Sequence, residues 1–325
     1  MLTNNLFTYP LVFLLLILFS RIYIVLAKKY NIVDIPNERS SHTTIITRGG
    51  GILFILGLLL YFGISFFNYP YFISSAFFLA IISFIDDLKS LSVKQRLPIQ
   101  FIAIFFTLFE INNTVSIPIV VIIALVFVGV VAINFFNFID GINGMLGLYS
   151  LSVISLIQIL NSVEKIIDET LIYTLILSLI VFGYYNFRKR ALFFSGDVGS
   201  MVMGLTIFFL ISYLIIALEA PVLILFVIVY LTDTGGTVIK RLLEKKNILK
   251  PHREHIYEQL ANEVEIPHLK ISIIYALLQF AFGVVALALY NKELSVQLLV
   301  VFIMILIMGI VYLVLINYFK KYLEQ

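Results

Sequence analysis

The 325-residue chain contains no cysteine. That absence excludes disulfides, thiolate nucleophiles and thiolate metal centres, so any metal must be held by oxygen or imidazole. Charge is also scarce, at 13% of residues, and the net charge of +3 is too small a basic excess to indicate a nucleic-acid partner. No internal repeat or low-complexity tract is present, and the longest polar stretch, residues 240–267, is too short to fold alone.

What fills the chain instead is apolar: 61% hydrophobic and 15% aromatic residues, with a mean hydropathy of +1.07. A soluble domain is about half apolar, so the composition indicates a membrane protein. The first apolar run is not a secretory leader by pattern. Met1 to Pro10 carries no Lys or Arg, whereas Lys28 and Lys29 follow the run. We read it as a retained first span with its amino terminus outside.

A membrane-crossing helix needs about 20 mostly apolar residues. That criterion picks out eleven stretches, near 9–27, 51–67, 70–85, 95–111, 116–133, 143–160, 168–186, 199–217, 220–239, 268–289 and 295–317. The expected fold is therefore an all-α, polytopic transmembrane bundle of ten or eleven spans, one domain over residues 1–325, with the carboxyl terminus inside. Basic residues support this alternation, since they concentrate in cytoplasmic loops. Only Lys165 and Lys292 fall in outer loops. Lys28, Lys29, Arg39, Arg48, Lys89, Lys94, Arg96, Arg188 to Arg190, Lys240, Arg241, Lys245, Lys246, Lys250, Arg253, Lys320 and Lys321 fall inside.

The inner loops 28–50, 86–96, 134–143, 187–198 and 240–267 hold residues that a simple anchor would not need. Asp86-Asp87, at the end of the third span and followed by Lys89, Lys94 and Arg96, suits a site that holds a metal or takes a proton beside bound phosphate; a solvated helix cap is the plain alternative. Asn134, Asn137 and Asp140 recur every three residues, so a helix would align them as one polar stripe. In lipid such a stripe must face protein or ligand, and helix–helix hydrogen bonding would also account for it. Ser195-Gly196-Asp197-Val198-Gly199 opens the eighth span as a turn suited to offer a carboxylate to a hard cation and backbone N–H groups to phosphate; Asp197 as an ordinary N-cap is the rival reading. Pro251-His252-Arg253-Glu254-His255 would place two imidazoles on one helical face with a guanidinium, chemistry suited to a pyrophosphate. Zinc is disfavoured because no third imidazole or thiolate lies nearby. Arg48-Gly49-Gly50-Gly51 lacks the Gly-Lys-Ser/Thr of a Walker loop and follows no strand of a dinucleotide fold.

In this order, Arg39-Ser40-Ser41-His42 with Arg48-Gly49-Gly50-Gly51, Asp86-Asp87 with Lys94 and Arg96, Asn134-x-x-Asn137-x-x-Asp140-Gly141, Gly196-Asp197-x-Gly199-Ser200, Asp233-Thr234 and His252 to Gln259 resemble the polyprenyl-phosphate N-acetylhexosamine-1-phosphate transferases. That group initiates O-antigen, common-antigen and teichoic acid synthesis and is related to phospho-MurNAc-pentapeptide transferase. The resemblance spans nearly the whole chain. It implies transfer of a sugar-1-phosphate from a UDP-sugar to undecaprenyl phosphate with release of UMP, at the cytoplasmic face of a bacterial inner membrane, with Mg2+ or Mn2+ as cofactor. It leaves room for a homodimer.

Residue by residue, the resemblance implies Asp197 as metal ligand and Asp86 and Asp87 as a pair that assists metal binding or deprotonates the lipid phosphate. Asn134, Asn137, Asp140 and Asn186 would line the nucleotide and metal pocket. Lys94 would meet phosphate, and His252, Arg253 and His255 the nucleotide sugar, with His42, Arg48 and Asp233 as further substrate contacts. Two departures stand out. Ile45 and Thr47 occupy positions where relatives often have proline, and His255-Ile256-Tyr257 replaces a His-x-His unit, which shifts the resemblance toward the O-antigen and capsule branch. A rival class, the ion-coupled transporter, would place its acids near the bilayer midplane in two related halves, neither of which this chain displays. A non-catalytic envelope scaffold would not need so many polar motifs on one face.

Overall fold

The computed structural model describes residues 5–35, 45–248 and 253–323. Among them lie twelve α-helices: α1 (Asn5–Lys29), α2 (Ile52–Ile64), α3 (Pro70–Lys89), α4 (Val93–Asn112), α5 (Ile119–Phe138), α6 (Met145–Glu164), α7 (Glu169–Asn186), α8 (Gly196–Leu218), α9 (Ile228–Leu243), α10 (Ile256–Asn262), α11 (His268–Leu289) and α12 (Leu294–Leu323). Two short strands, β1 (Val33–Asp34) and β2 (Ile46–Thr47), pair antiparallel between α1 and α2. The polytopic helical bundle is thus the observed architecture. Helix is what a chain this apolar must form, because lipid offers no partner for an open backbone N–H or C=O.

Each of the eleven apolar stretches is helical, with two qualifications. Among the described residues nine segments are long and apolar enough to cross a membrane. α2, with 13 residues, reaches only about 20 Å at 1.5 Å per residue. α4 is long enough, but Lys94 and Arg96 at one end and Glu110 at the other lower its apolar content. The ninth stretch is discontinuous: Pro221–Val227 is a 3-10 segment that passes into α9. Such a break frees backbone groups in the interior, and Gln279 of α11 recovers them, donating to the Leu225 carbonyl at 2.7 Å and accepting from the Val229 N–H at 3.2 Å.

α8 is the axis of the bundle. Every residue from Val198 to Leu214 is buried, which is why the helix is apolar on all sides. α3 and α5 flank it, with α2, α4 and α6 completing the shell. α11 packs on α6, α1 and α2 lie against α7, and α12 leans on the 3-10 segment and α9. Because consecutive helices run in opposite directions, the ends of α3 and α5 and the beginnings of α4 and α8 meet at one end of the bundle. The predicted site loops converge there.

Candidate active site

The local folding begins with the glycine run. The segment after β2 lies alongside residues 193–195: Phe194 donates its N–H to the Thr47 carbonyl at 2.8 Å, Gly50 donates to the Phe194 carbonyl at 2.7 Å, and Gly51 to the Ser195 carbonyl at 2.9 Å. At Gly51 the approach to α8 is so close that a Cβ would fall 2.1 Å from the Gly199 Cα, which no side chain tolerates. This contact delivers Arg48 to the first turn of α8.

There the charged groups interlock. Arg48 Nε lies 2.7 Å from Asp87 Oδ1, and its terminal nitrogen 3.7 Å from Asp197 Oδ1. From the opposite side, Arg96 pairs with Asp86 Oδ2 at 2.5 Å and stands 3.8 Å from Asp197 Oδ2. Asn137 donates to Asp197 Oδ1 at 2.9 Å, and Ser195 donates to Asp140 Oδ2. Asp86, Asp87, Asp140, Asp197, Arg48, Asn137 and Arg96 thus occupy one pocket.

Asp140 shows what the pocket does electrostatically. Withdrawal from bulk solvent pushes its carboxyl up to about 8, and the charges of Asp197 and Asp87 push the same way against the Ser195 hydrogen bond. A cation, or a proton, is favoured here. Among the described residues no three His, Asp or Glu side chains form a metal-holding array. The available donors are a few carboxylate and amide oxygens.

The predicted polar stripe is divided by the structure, because α5 ends at Phe138. Asn137 faces Asp197. Asn134, one turn deeper, donates to Gln100 Oε1 at 2.8 Å and to the Val130 carbonyl at 2.7 Å, so it ties α5 to α4. Asp140 lies beyond the helix end and meets Ser195 through the turn. Asn186 sits in neither position. Its oxygen accepts the Gly144 N–H at 2.7 Å and its nitrogen donates to the Phe193 carbonyl at 3.1 Å, joining the turn before α6 to the strand-like segment that precedes α8. Lys94 is exposed on the first turn of α4 and makes no hydrogen bond or ion pair among the described residues.

The backbone N–H groups expected to be open to phosphate at the start of α8 are already engaged. Asp197 N–H donates to Asp87 Oδ1 at 2.8 Å and Val198 N–H to Asp87 Oδ2 at 3.1 Å. An acid on α3 therefore fills the place a phosphate would take.

A second cluster adjoins the first. Asp233, buried on α9, accepts the Ile256 N–H at 2.8 Å, the Tyr257 N–H at 3.2 Å and the Tyr275 hydroxyl at 2.7 Å. It thereby anchors the loop that carries Arg253 and His255. That loop is not helical as expected: His255 is extended, at φ −67° and ψ 146°, and precedes α10. Burial draws the His255 pKa down, but Asp233, with Nδ1 to Oδ1 at 3.8 Å, outweighs this and raises it, favouring the imidazolium. Arg253 is partly buried beside Glu258. Glu254 is held by Lys240 and Lys246 at 3.3 Å each and by Arg241. The cluster meets the pocket at Phe138, whose ring lies 6.2 Å from that of His255 and whose carbonyl accepts the Tyr257 hydroxyl at 2.8 Å. His42 and His252 lie outside the described residues.

Arg96, Ser195 and Gln100 were not singled out as site residues by sequence. Arg96 sits ten positions from the Asp86 it pairs with, so a base one loop after an acid pair was the available signal. Ser195 and Gln100 have partners far away in sequence, Asp140 in the turn after α5 and Asn134 on α5, and no local signature.

Fold and site together define a polytopic α-helical membrane protein with an acid-, amide- and arginine-lined pocket at one end. The sequence pattern of Glycosyl transferase family 4 matches residues 69–219, from the start of α3 to the end of α8. The chain is also 29% identical over 153 residues to the probable undecaprenyl-phosphate N-acetylglucosaminyl 1-phosphate transferase of Bacillus subtilis (strain 168). That alignment covers 45% of this chain and 42% of that protein, so the chain matches less than half the length of its relative.

Proposed function

We propose that this protein transfers an N-acetylhexosamine-1-phosphate from a UDP-sugar to undecaprenyl phosphate, forming a polyprenyl-diphosphate sugar and releasing UMP. The observation that carries the reading is the convergence of Asp197, Asn137 and Arg96, all within the segment that matches the family, with Arg48, which precedes that segment, at the start of α8. The relative's name supplies the substrate class. The chemistry is attack of a lipid phosphate oxygen on the sugar-bearing phosphorus of the nucleotide, with the bond to UMP breaking. Its main obstacle is repulsion between two anions.

The donor set fits Mg2+. All donors are oxygens, and a small hard cation uses one or two carboxylates and completes its shell with water and phosphate oxygens, so no array of three acids is needed. Asp197 would hold it, with Asp140 and the Asn137 amide beside it; when bound, the ion supplies charge neutralisation across the two phosphates. Arg48 and Arg96 add positive charge from either side of Asp197. No strong base is required, because a phosphomonoester has its second ionisation near pH 6. The Arg253–His255 loop would receive the nucleotide's pyrophosphate, where His255 is favoured in its charged form.

An apolar groove of about 390 Å³ runs between α5, α8 and α9, lined by Val131, Phe136, Gly204, Ile207, Phe208 and Leu231 among others. Phe136 adjoins Asn137, and Leu231 lies two residues before Asp233, so the groove leads away from the polar pocket into the bundle's apolar flank. It suits the first isoprene units of the lipid. A pocket that takes nucleotide sugar faces the cytoplasm of a bacterial inner membrane, in keeping with the basic residues at this end.

The test is purified protein with undecaprenyl phosphate and a panel of UDP-N-acetylhexosamines. UMP release together with a lipid-linked sugar from at least one donor is expected. Failure with every donor, in protein that remains monodisperse, would contradict the assignment.

A further inference from the structure

Asp87 is the most thoroughly engaged carboxylate in the pocket. Its side chain is fully buried. Oδ1 accepts from Arg48 Nε at 2.7 Å and from the Asp197 N–H at 2.8 Å, and Oδ2 accepts from the Val198 N–H at 3.1 Å. Asp197, by contrast, is 20% exposed, and only its Oδ1 receives a close donor. The two acids therefore perform different tasks.

The reason lies at the start of α8. A helix leaves its first N–H groups without intrahelical partners, and a serine at the N-cap ordinarily takes one of them. Ser195 holds that position but makes no side-chain cap, and its hydroxyl is turned to Asp140. Asp87 reaches across from α3 and supplies the missing cap in trans, where its negative charge also complements the positive end of the helix dipole. The approach depends on Gly196, at φ +71°, where a Cβ would lie 2.5 Å from Asp87 Oδ2. One of the two N–H groups so held is that of Asp197 itself.

We infer that Asp87 is a positioning residue for the transfer reaction, fixing the first turn of α8 so that the Asp197 carboxylate is aimed into the pocket, and serving neither as base nor as metal ligand. This deepens the transferase reading above and rests on it. Asp86 instead holds the loop that leads into α4, with Oδ1 on the Leu91 N–H at 2.5 Å and Oδ2 on Arg96 at 2.5 Å, while α4 itself is capped by Ser92 and Gln95.

The test uses full-length purified protein and Mn2+ alone, followed by electron paramagnetic resonance, with steady-state kinetics alongside. Groups that orient a ligand change metal affinity by about 10–100-fold. Asp87→Asn is therefore expected to weaken Mn2+ binding by about tenfold and to lower kcat, with the KM for the UDP-sugar nearly unchanged, while Asp197→Asn eliminates bound Mn2+. Unaltered Mn2+ affinity in Asp87→Asn would overturn the inference, and so would a loss as complete as in Asp197→Asn, which marks a direct ligand. If the asparagine variant does not survive solubilisation, Asp87→Glu keeps the charge but displaces the cap, and Mn2+ affinity equal to wild type there would equally overturn it. Wild-type protein that binds no Mn2+, or Asp197→Asn that binds it normally, would instead remove the metal assignment on which the inference rests.

Discussion

The two ends of the bundle use the same device to different effect. At the end where α3 begins, Glu110 of α4 accepts the N–H groups of Tyr71 and Phe72 at 2.6 and 3.1 Å, and Asp168 caps α7 at Thr170, 2.8 Å away, while receiving the Tyr61 hydroxyl. Tyr290 donates to Glu164 at 2.6 Å. Acids there meet backbone N–H groups and tyrosines, and among the described residues no ion pair forms. At the other end Asp87 and Asp233 also cap helices in trans, but two arginines enter with them, and Asp197 and Asp140 retain oxygen that the fold does not use. A buried acid is thus no mark of function by itself. The surplus is, because burying charge beyond what caps and pairs require is costly unless a ligand completes it.

The contrast can be broken experimentally, and the largest effect expected is from chelation. EDTA should reduce transfer by more than about 1,000-fold, and Mg2+ or Mn2+ should restore it, measured as UMP release; activity indifferent to chelation would erase the distinction between the ends. Asn137→Ala removes the amide that orients Asp197 and should lower kcat by about 10–100-fold, with recovery at raised Mg2+. The smallest effect on turnover is expected at the far end. Glu110→Ala leaves two N–H groups at the start of α3 without their acceptor, that of Phe72 buried, and should cost about 1–3 kcal/mol of stability, read as a lowered melting temperature. Turnover per folded molecule should stay within about twofold of wild type, as for distant, uncoupled sites. A large activity loss would mean that the two ends are coupled.

The helices were legible from apolar runs because a membrane leaves the backbone no alternative, but their interruptions were not. Nothing in residues 220–239 announces the 3-10 segment, since Gln279, which makes the break tolerable, lies about 50 positions away. Asp86, Asp87, Asn137, Asp140 and Asp197 could be singled out because polar groups at span ends are conspicuous in an apolar chain. Their division of labour could not, because it depends on which oxygen is already occupied. The regular spacing of Asn134, Asn137 and Asp140 suggested one face, yet α5 ends between the second and third, and Asn134 is drawn to Gln100. Arg96 stood out less than Lys94 among the bases after α3, although only Arg96 turns inward. That choice is made by Asp86, which accepts both the Arg96 guanidinium and the Leu91 N–H and so folds the turn back on itself.

The proposed transfer depends on Asp197 holding charge against two phosphates. Its most direct test is UMP release from undecaprenyl phosphate and an accepted UDP-sugar by wild-type protein and Asp197→Asn, purified side by side in the same detergent. A monodisperse variant is expected whose kcat falls by at least about 100–1,000-fold, the scale for removing one preorganised electrostatic group. An Asp197→Asn protein that turns over at the wild-type rate would contradict that dependence.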